Sequence, residues 1–265
     1  MNYFRLFPKL LRILFITAIG LAIASIFAGV FYCFWPVITA QIPAPVDYPK
    51  NFTKRLLVID PGHGGENEGA KTFWGLHEKR RNLRVAWALK RRMEATEHWI
   101  VRLTRDREMY LTNSMRPQIA NEFEADIYIS IHGNAWFTPR QGFSVIWYAA
   151  QKEPLSEKLA FSIAGGLRDA GFPMDMKMGP VFKDFHENRE NSPDYQLWSN
   201  ALPIYVREKT NHPMIYPAKM PAVLIETHYM SDPQQALQFE SRLMMDRLCV
   251  ALEGGLVKFA TENLD

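Results

Sequence analysis

Four side chains able to share one chemical task lie far apart in this sequence: His63, Glu78, His132 and Glu226. Two imidazoles and a carboxylate are a recurrent ligand set for a catalytic zinc ion, with a fourth position left for water. A second carboxylate beside that water can act as its general base. No HExxH motif occurs, so a metal site would have to be assembled from separate loops. Each residue also has a plainer reading. His63 could be an ordinary loop histidine, His132 a hydrogen-bonded core histidine, and Glu78 an acid suiting the first turn of any helix. Glu226 is harder to set aside, because it closes the apolar run Pro221-Ala222-Val223-Leu224-Ile225, where an unpartnered carboxylate is expensive to bury.

The elements that would have to carry these groups are legible in outline. The apolar run Leu56 to Asp60 is broken by Pro61-Gly62-His63-Gly64-Gly65, which reads as a buried strand entering a glycine-rich loop. Further strands are expected at Trp99 to Thr104, Ile127 to Ile131, Phe143 to Ala149, Pro203 to Arg207 and Ala222 to Glu226. Helices are expected at Glu78 to Glu94, Arg116 to Glu124, Pro154 to Ala170 and Gln234 to Thr261, the last broken near Gly254-Gly255. Residues 172–202 show no clean period and read as a long loop or insertion. Strands alternating with helices imply an α/β fold, with a mainly parallel sheet of about six strands and helices on both faces. In such sheets ligands gather beyond the carboxyl ends of the strands. His63, His132 and Glu226 each follow a strand at that rim, and Glu78 opens the helix that leaves it.

The N-terminus has a different character. No charged residue occurs from Ile13 to Ala40, and Arg5, Lys9 and Arg12 precede that run. About 20 apolar residues suffice to cross the hydrocarbon core. The flanking cations place this end in the cytoplasm and the remainder outside. The expected organisation is a cytoplasmic stretch at 1–12, a single-pass anchor at 13–40, a proline-containing linker at 41–54 and one domain at 55–265. A cleaved signal peptide is the rival reading, although such apolar cores run to only about 7–15 residues. Over the 265 residues the formal charge is +3 and 48% of residues are apolar, which supports a full core and argues against a nucleic-acid partner. Two cysteines, Cys33 and Cys249, provide neither a disulfide framework nor a CxxC pair.

Taken in order, these blocks resemble the zinc-dependent N-acetylmuramoyl-L-alanine amidases of the type 3 family. Val58-Ile59-Asp60-Pro61-Gly62-His63-Gly64-Gly65 with Gly69-Ala70 resembles the first block. Gly75-Leu76-His77-Glu78-Lys79 with Asn82-Leu83 resembles the second. Leu103-Thr104-Arg105-Asp106 with Arg116 and Ile119-Ala120-Asn121 resembles the middle stretch. Ser130-Ile131-His132-Gly133-Asn134-Ala135, and Pro221 to Glu226 with Ser231-Asp232, resemble the last two. The resemblance implies one zinc ion held by His63, Glu78 and His132, with Glu226 as the catalytic carboxylate. It implies hydrolysis of the amide joining N-acetylmuramic acid to the first L-alanine of a peptidoglycan stem peptide.

The chain departs from the family pattern at Arg80, Gly133 and Thr227-His228-Tyr229. Arg116, Asn134 and His228 are candidates for substrate binding; a structural role or a surface salt bridge is the alternative for Arg116, and proton transfer or a plain hydrogen-bonding role the alternative for His228. His228 would share a face with Glu226 if the strand continued regularly. Two rival functions stay in view: a zinc peptidase or carboxypeptidase acting on stem peptides, and a wall-binding protein without catalysis. The expected location is the inner membrane, single-pass, with the domain on the periplasmic face. Residues 172–202 read first as a packed surface loop, and alternatively as a segment that shapes or covers the cleft until a protein regulator moves it.

Overall fold

The computed structural model describes residues 14–29, 31, 44–136, 141–147, 154–175, 206–208 and 218–264. The chain divides into two units, Met1–Gln41 and Ile42–Asp265. In the first, residues 14–29 are helical, and Leu14, Phe15, Leu21 and Phe27 are 60–70% exposed. Among the described residues no helix is long and apolar enough to cross a membrane. The expected span 13–40 runs beyond the described residues at both ends, and Cys33 lies outside them.

The second unit is a mixed α/β fold. Its strands are β1 Arg55–Pro61, β2 Trp99–Leu103, β3 Ile127–Asn134, β4 Ser144–Trp147, β5 Val206–Glu208 and β6 Ala222–Tyr229. Its helices are α1 Glu78–Glu94, α2 Met115–Glu122, α3 Pro154–Asp169, α4 Pro233–Gln238 and α5 Arg242–Asn263. The strands form one sheet in the order β2-β1-β3-β6-β4-β5. Neighbours pair in parallel except β4 and β6, which are antiparallel.

Side chains alternate across the sheet and build two cores. Val58, Tyr128, Ile146 and Leu224 pack on one face with Ala120 of α2. The alternate residues Leu57, Ile59, Ile129, Val223 and Ile225 are wholly buried on the other face, where α1, α3 and α5 lie. Full burial of each such side chain contributes about 1.5–3 kcal/mol.

The C-terminal helix breaks elsewhere than its glycines imply. Asp232 caps α4, its Oδ1 accepting from Gln235 N at 2.8 Å. The chain then turns, and α5 runs unbroken through Gly254-Gly255. Of the two, Gly255 serves contact with α3, as does Gly166 of α3 with α5. A Cβ on Gly255 would lie 2.6 Å from Ile163 Cα, and one on Gly166 would lie 2.4 Å from Ala251 O. The packed helices hold a backbone that glycine propensity alone would break.

Of the expected insertion at 172–202, residues 176–202 lie outside the described residues. The strand expected at Pro203 to Arg207 is found at Val206–Glu208.

Candidate metal centre and catalytic rim

Parallel pairing brings the carboxyl ends of β1, β3 and β6 together. Pro61 stands beside Ile131, and His132 stands beside Glu226. Glu78 enters from above as the first residue of α1. One ligand atom from each of His63, Glu78 and His132 lies within 4.8 Å of the others.

Glu78 is the hub. Its Oε2 is 3.1 Å from His63 Nε2, and its Oε1 is 3.0 Å from His132 Nδ1. Ala70 N and Gly133 N donate to the same carboxylate at 2.8 and 2.9 Å, and Asn82 Nδ2 donates at 3.2 Å. Burial pushes the carboxyl up, but the hydrogen bonds from His132 and His63 outweigh it and hold it well below the usual range. For His63, burial opposes the cation, yet Glu78 prevails and raises its pKa. Asn67 Oδ1 lies 2.8 Å from His63 Nδ1. That contact holds the Nδ1 proton and turns Nε2 towards Glu78.

The loop around the histidines leaves no spare room. A Cβ on Gly62 would fall 2.1 Å from the His132 ring, and one on Gly69 would fall 2.5 Å from Glu78 Oε2. His63 has φ 62, a left-handed conformation costing a non-glycine residue about 1–2 kcal/mol. The strain is held by a buried frame. Arg116 donates to Asp60 Oδ1 at 2.8 Å, to Pro61 O at 3.1 Å and to His63 O at 2.9 Å. Arg105 donates to Pro61 O at 2.8 Å and to Gly62 O at 3.0 Å. Ser130 and Thr104 hydroxyls complete the shell of Asp60.

The cluster fits a divalent cation. His132 Nε2 is buried with no hydrogen-bond partner, although a sealed polar atom costs about 1–3 kcal/mol. Two imidazoles and a carboxylate are the donor set for which zinc is suited. Glu226, half-buried in a strand that is otherwise buried, stands next to His132 and opposite Ser144 of β4.

Two of the expected substrate contacts are corrected. Arg116 is 0% exposed and paired with Asp60, so it cannot meet a ligand; it positions the His63 loop. His228 is likewise 0% exposed. It stacks on Phe239 with centroids 4.2 Å apart, and burial pushes its pKa well down. The cause is a bulge. His132 pairs with Glu226 but Asn134 pairs with Tyr229, so β6 carries an extra residue there and its alternation is lost. Asn134, at the end of β3, is half-buried and accepts from Ala135 N at 2.8 Å. Reading the sequence for chemistry alone overlooked Arg105, Asn67 and Asn82 as positioning residues. The signal for Asn82 is its place four residues after Glu78, on the same helix face.

Residues 57–256 match the model of the N-acetylmuramoyl-L-alanine amidase family. The chain is 24% identical over 222 residues to the probable N-acetylmuramoyl-L-alanine amidase AmiB of Haemophilus influenzae, covering 77% of this chain and 51% of that one. It therefore spans about half the length of that relative. A solved N-acetylmuramoyl-L-alanine amidase from Clostridium difficile 630 superposes with a TM-score of 0.64 at 20% identity, covering 80% of this chain and 99% of that one. The CwlD amidase of Clostridioides difficile, solved in complex with the GerS lipoprotein, gives 0.62 at 18% identity, covering 79% and 100%. The chain belongs to the N-acetylmuramoyl-L-alanine amidase family.

Proposed function

We propose that this protein is a zinc-dependent amidase that hydrolyses the bond between N-acetylmuramic acid and the L-alanine of the peptidoglycan stem peptide. The observation that carries this reading is the approach of His63, Glu78 and His132 to within 4.8 Å at a strand rim, with Glu226 beside His132 in register. Family membership supplies the substrate class.

His63, Glu78 and His132 would hold the ion. A zinc ion there would supply Lewis acidity, polarising the amide carbonyl and making a water more acidic. Glu226 accepts a proton from the attacking water as its oxygen bonds to the lactyl carbonyl carbon, and returns that proton to the alanine nitrogen, so the amide C–N bond breaks to leave a lactyl carboxylic acid and a free L-alanine amine. Asn67 and Asn82 fix the orientation of His63 and Glu78, and Arg105 and Arg116 hold the loop that presents them. Asn134 stands at the rim as a contact for the substrate's polar groups.

The uncharged, mostly apolar helix over residues 14–29 supports an anchor over 13–40 in the inner membrane, with the enzyme on the periplasmic side. We place a linker at 41–54 and the catalytic domain at 55–265. A regulatory protein partner belongs to the same reading, because CwlD is known in complex with a lipoprotein.

Mass analysis of digested sacculi tests the proposal. Stem peptides beginning with free L-alanine are expected, and shortened stems still attached to muramic acid would point to a peptidase instead. Resistance of the full chain to alkaline extraction from membranes tests the anchor.

A further inference from the structure

Two segments that carry the ligands also carry exposed aromatic rings. Trp74 stands four residues before Glu78, and Trp136 four residues after His132. Each is 46% exposed, and Phe73 is 90% exposed. Phe73 and Trp74 are neighbours in the chain, and large apolar side chains exposed side by side are unusual on a folded surface unless something covers them.

The turn that displays the first pair is well tied. Thr72 N donates to Leu76 O at 2.9 Å, Gly75 N to Thr72 O at 3.0 Å, and Leu76 N to Thr72 Oγ1 at 2.9 Å. Gly75 has φ 92, which glycine takes without strain. Lys71 and His77 form a bridge below it, and His77 Nδ1 lies 3.2 Å from Glu68 Oε2. One pair further down, Glu78 N donates to Ala70 O and Ala70 N donates to the Glu78 carboxylate, both at 2.8 Å. The base of the turn therefore rests on the metal-site carboxylate, and its tip projects roughly 10 Å beyond it. Rings presented on a hydrogen-bonded turn lose little conformational entropy when a ligand covers them.

We propose that Phe73 and Trp74 on this turn, with Trp136 at the end of β3, form a sugar-gripping rim that lays the glycan chain of the substrate across the site. The proposal rests on the amidase reading and adds the contact that would set glycan-length preference. The apolar faces of pyranose rings stack on aromatic rings, and a polymer of such rings offers each aromatic segment a ring to hold.

The test compares kcat/KM of the zinc-loaded full chain on glycan polymer with that on a single muramoyl peptide. In wild type the polymer is preferred. In Phe73→Ala with Trp74→Ala, the polymer-to-fragment ratio falls about tenfold. Phe73→Tyr with Trp74→Phe restores it, which separates stacking from damage to the fold. Co-sedimentation of a Glu226→Gln form with sacculi, with and without the two alanines, reads binding without turnover and falls by a similar factor. An unchanged ratio with unchanged sedimentation overturns the proposal. So does a shift from dimer to monomer in light scattering with sacculus binding retained, which would make the turn a contact between copies. Failure of wild type to release stem peptides from either substrate would sink the amidase reading instead, and sedimentation would still decide the rim.

Discussion

His132 of β3 and Glu226 of β6 are direct partners in a parallel ladder, although 94 positions separate them in the chain. Adjacent strands lie about 4.8 Å apart, so the proposed ligand and the proposed base share one rim without any flexible loop between them. Rigid elements hold such groups more closely than loops do.

Replacing Glu226 with Gln should lower turnover of purified peptidoglycan by about 10²–10⁴-fold, the usual contribution of a positioned acid–base group. Zinc stoichiometry by elemental analysis should be unchanged. Near-normal turnover would remove Glu226 from the mechanism.

Glu78→Ala should abolish stoichiometric zinc binding, because its carboxylate joins both histidines. Asn82→Ala should weaken zinc affinity by about 10–100-fold, as loss of an orienting partner typically does. Chelator competition measures both. If the Asn82 variant competed as well as wild type, its hydrogen bonds to Gly62 O and Glu78 Oε1, both 3.2 Å, would have no bearing on the metal.

Metal retention should also depend on pH. Glu78 raises the pKa of His63, so acidification loads His63 with a proton that competes directly with the ion. Zinc affinity is expected to fall as pH decreases through the histidine range. A flat profile there would mean that His63 is not a ligand.

The Asp60–Arg116 pair is completely buried. Arg116→Ala leaves an uncompensated carboxylate and should cost about 3–5 kcal/mol of stability, read by denaturant unfolding. A loss below about 1 kcal/mol would show that the pair does not support the fold.

Asp60 itself gives the sign of an acid transition. Burial alone would raise its carboxyl, but Arg116, Ser130 and Thr104 hold it below the usual range. Its contribution is therefore present above about pH 4, the unfolded value, and lost as pH falls through the lower folded value. Asp60→Asn should be less stable than wild type at pH 7, and the gap should narrow below about pH 4. A gap independent of pH would assign the effect to packing.

The sequence by itself determined the residue types of the candidate site, the strand-and-helix order and the chemistry those residues permit. Glycine-rich loops, apolar runs and helix starts are local signals, and the blocks around His63, Glu78, His132 and Glu226 are local patterns. What only the tertiary structure decided is where neighbouring side chains point. His228 looked like a partner of Glu226 because an ideal strand alternates. One extra residue opposite the His132–Asn134 step cancelled that alternation and turned His228 onto Phe239. Arg116 looked able to reach a substrate because a single arginine carries no record of its partner; Asp60 took it into the core. Gly254-Gly255 looked like a helix break until α3 packed against Gly255. In each case a contact between residues distant in sequence outweighed the local pattern, which for glycine inside a helix is a preference of about 1 kcal/mol.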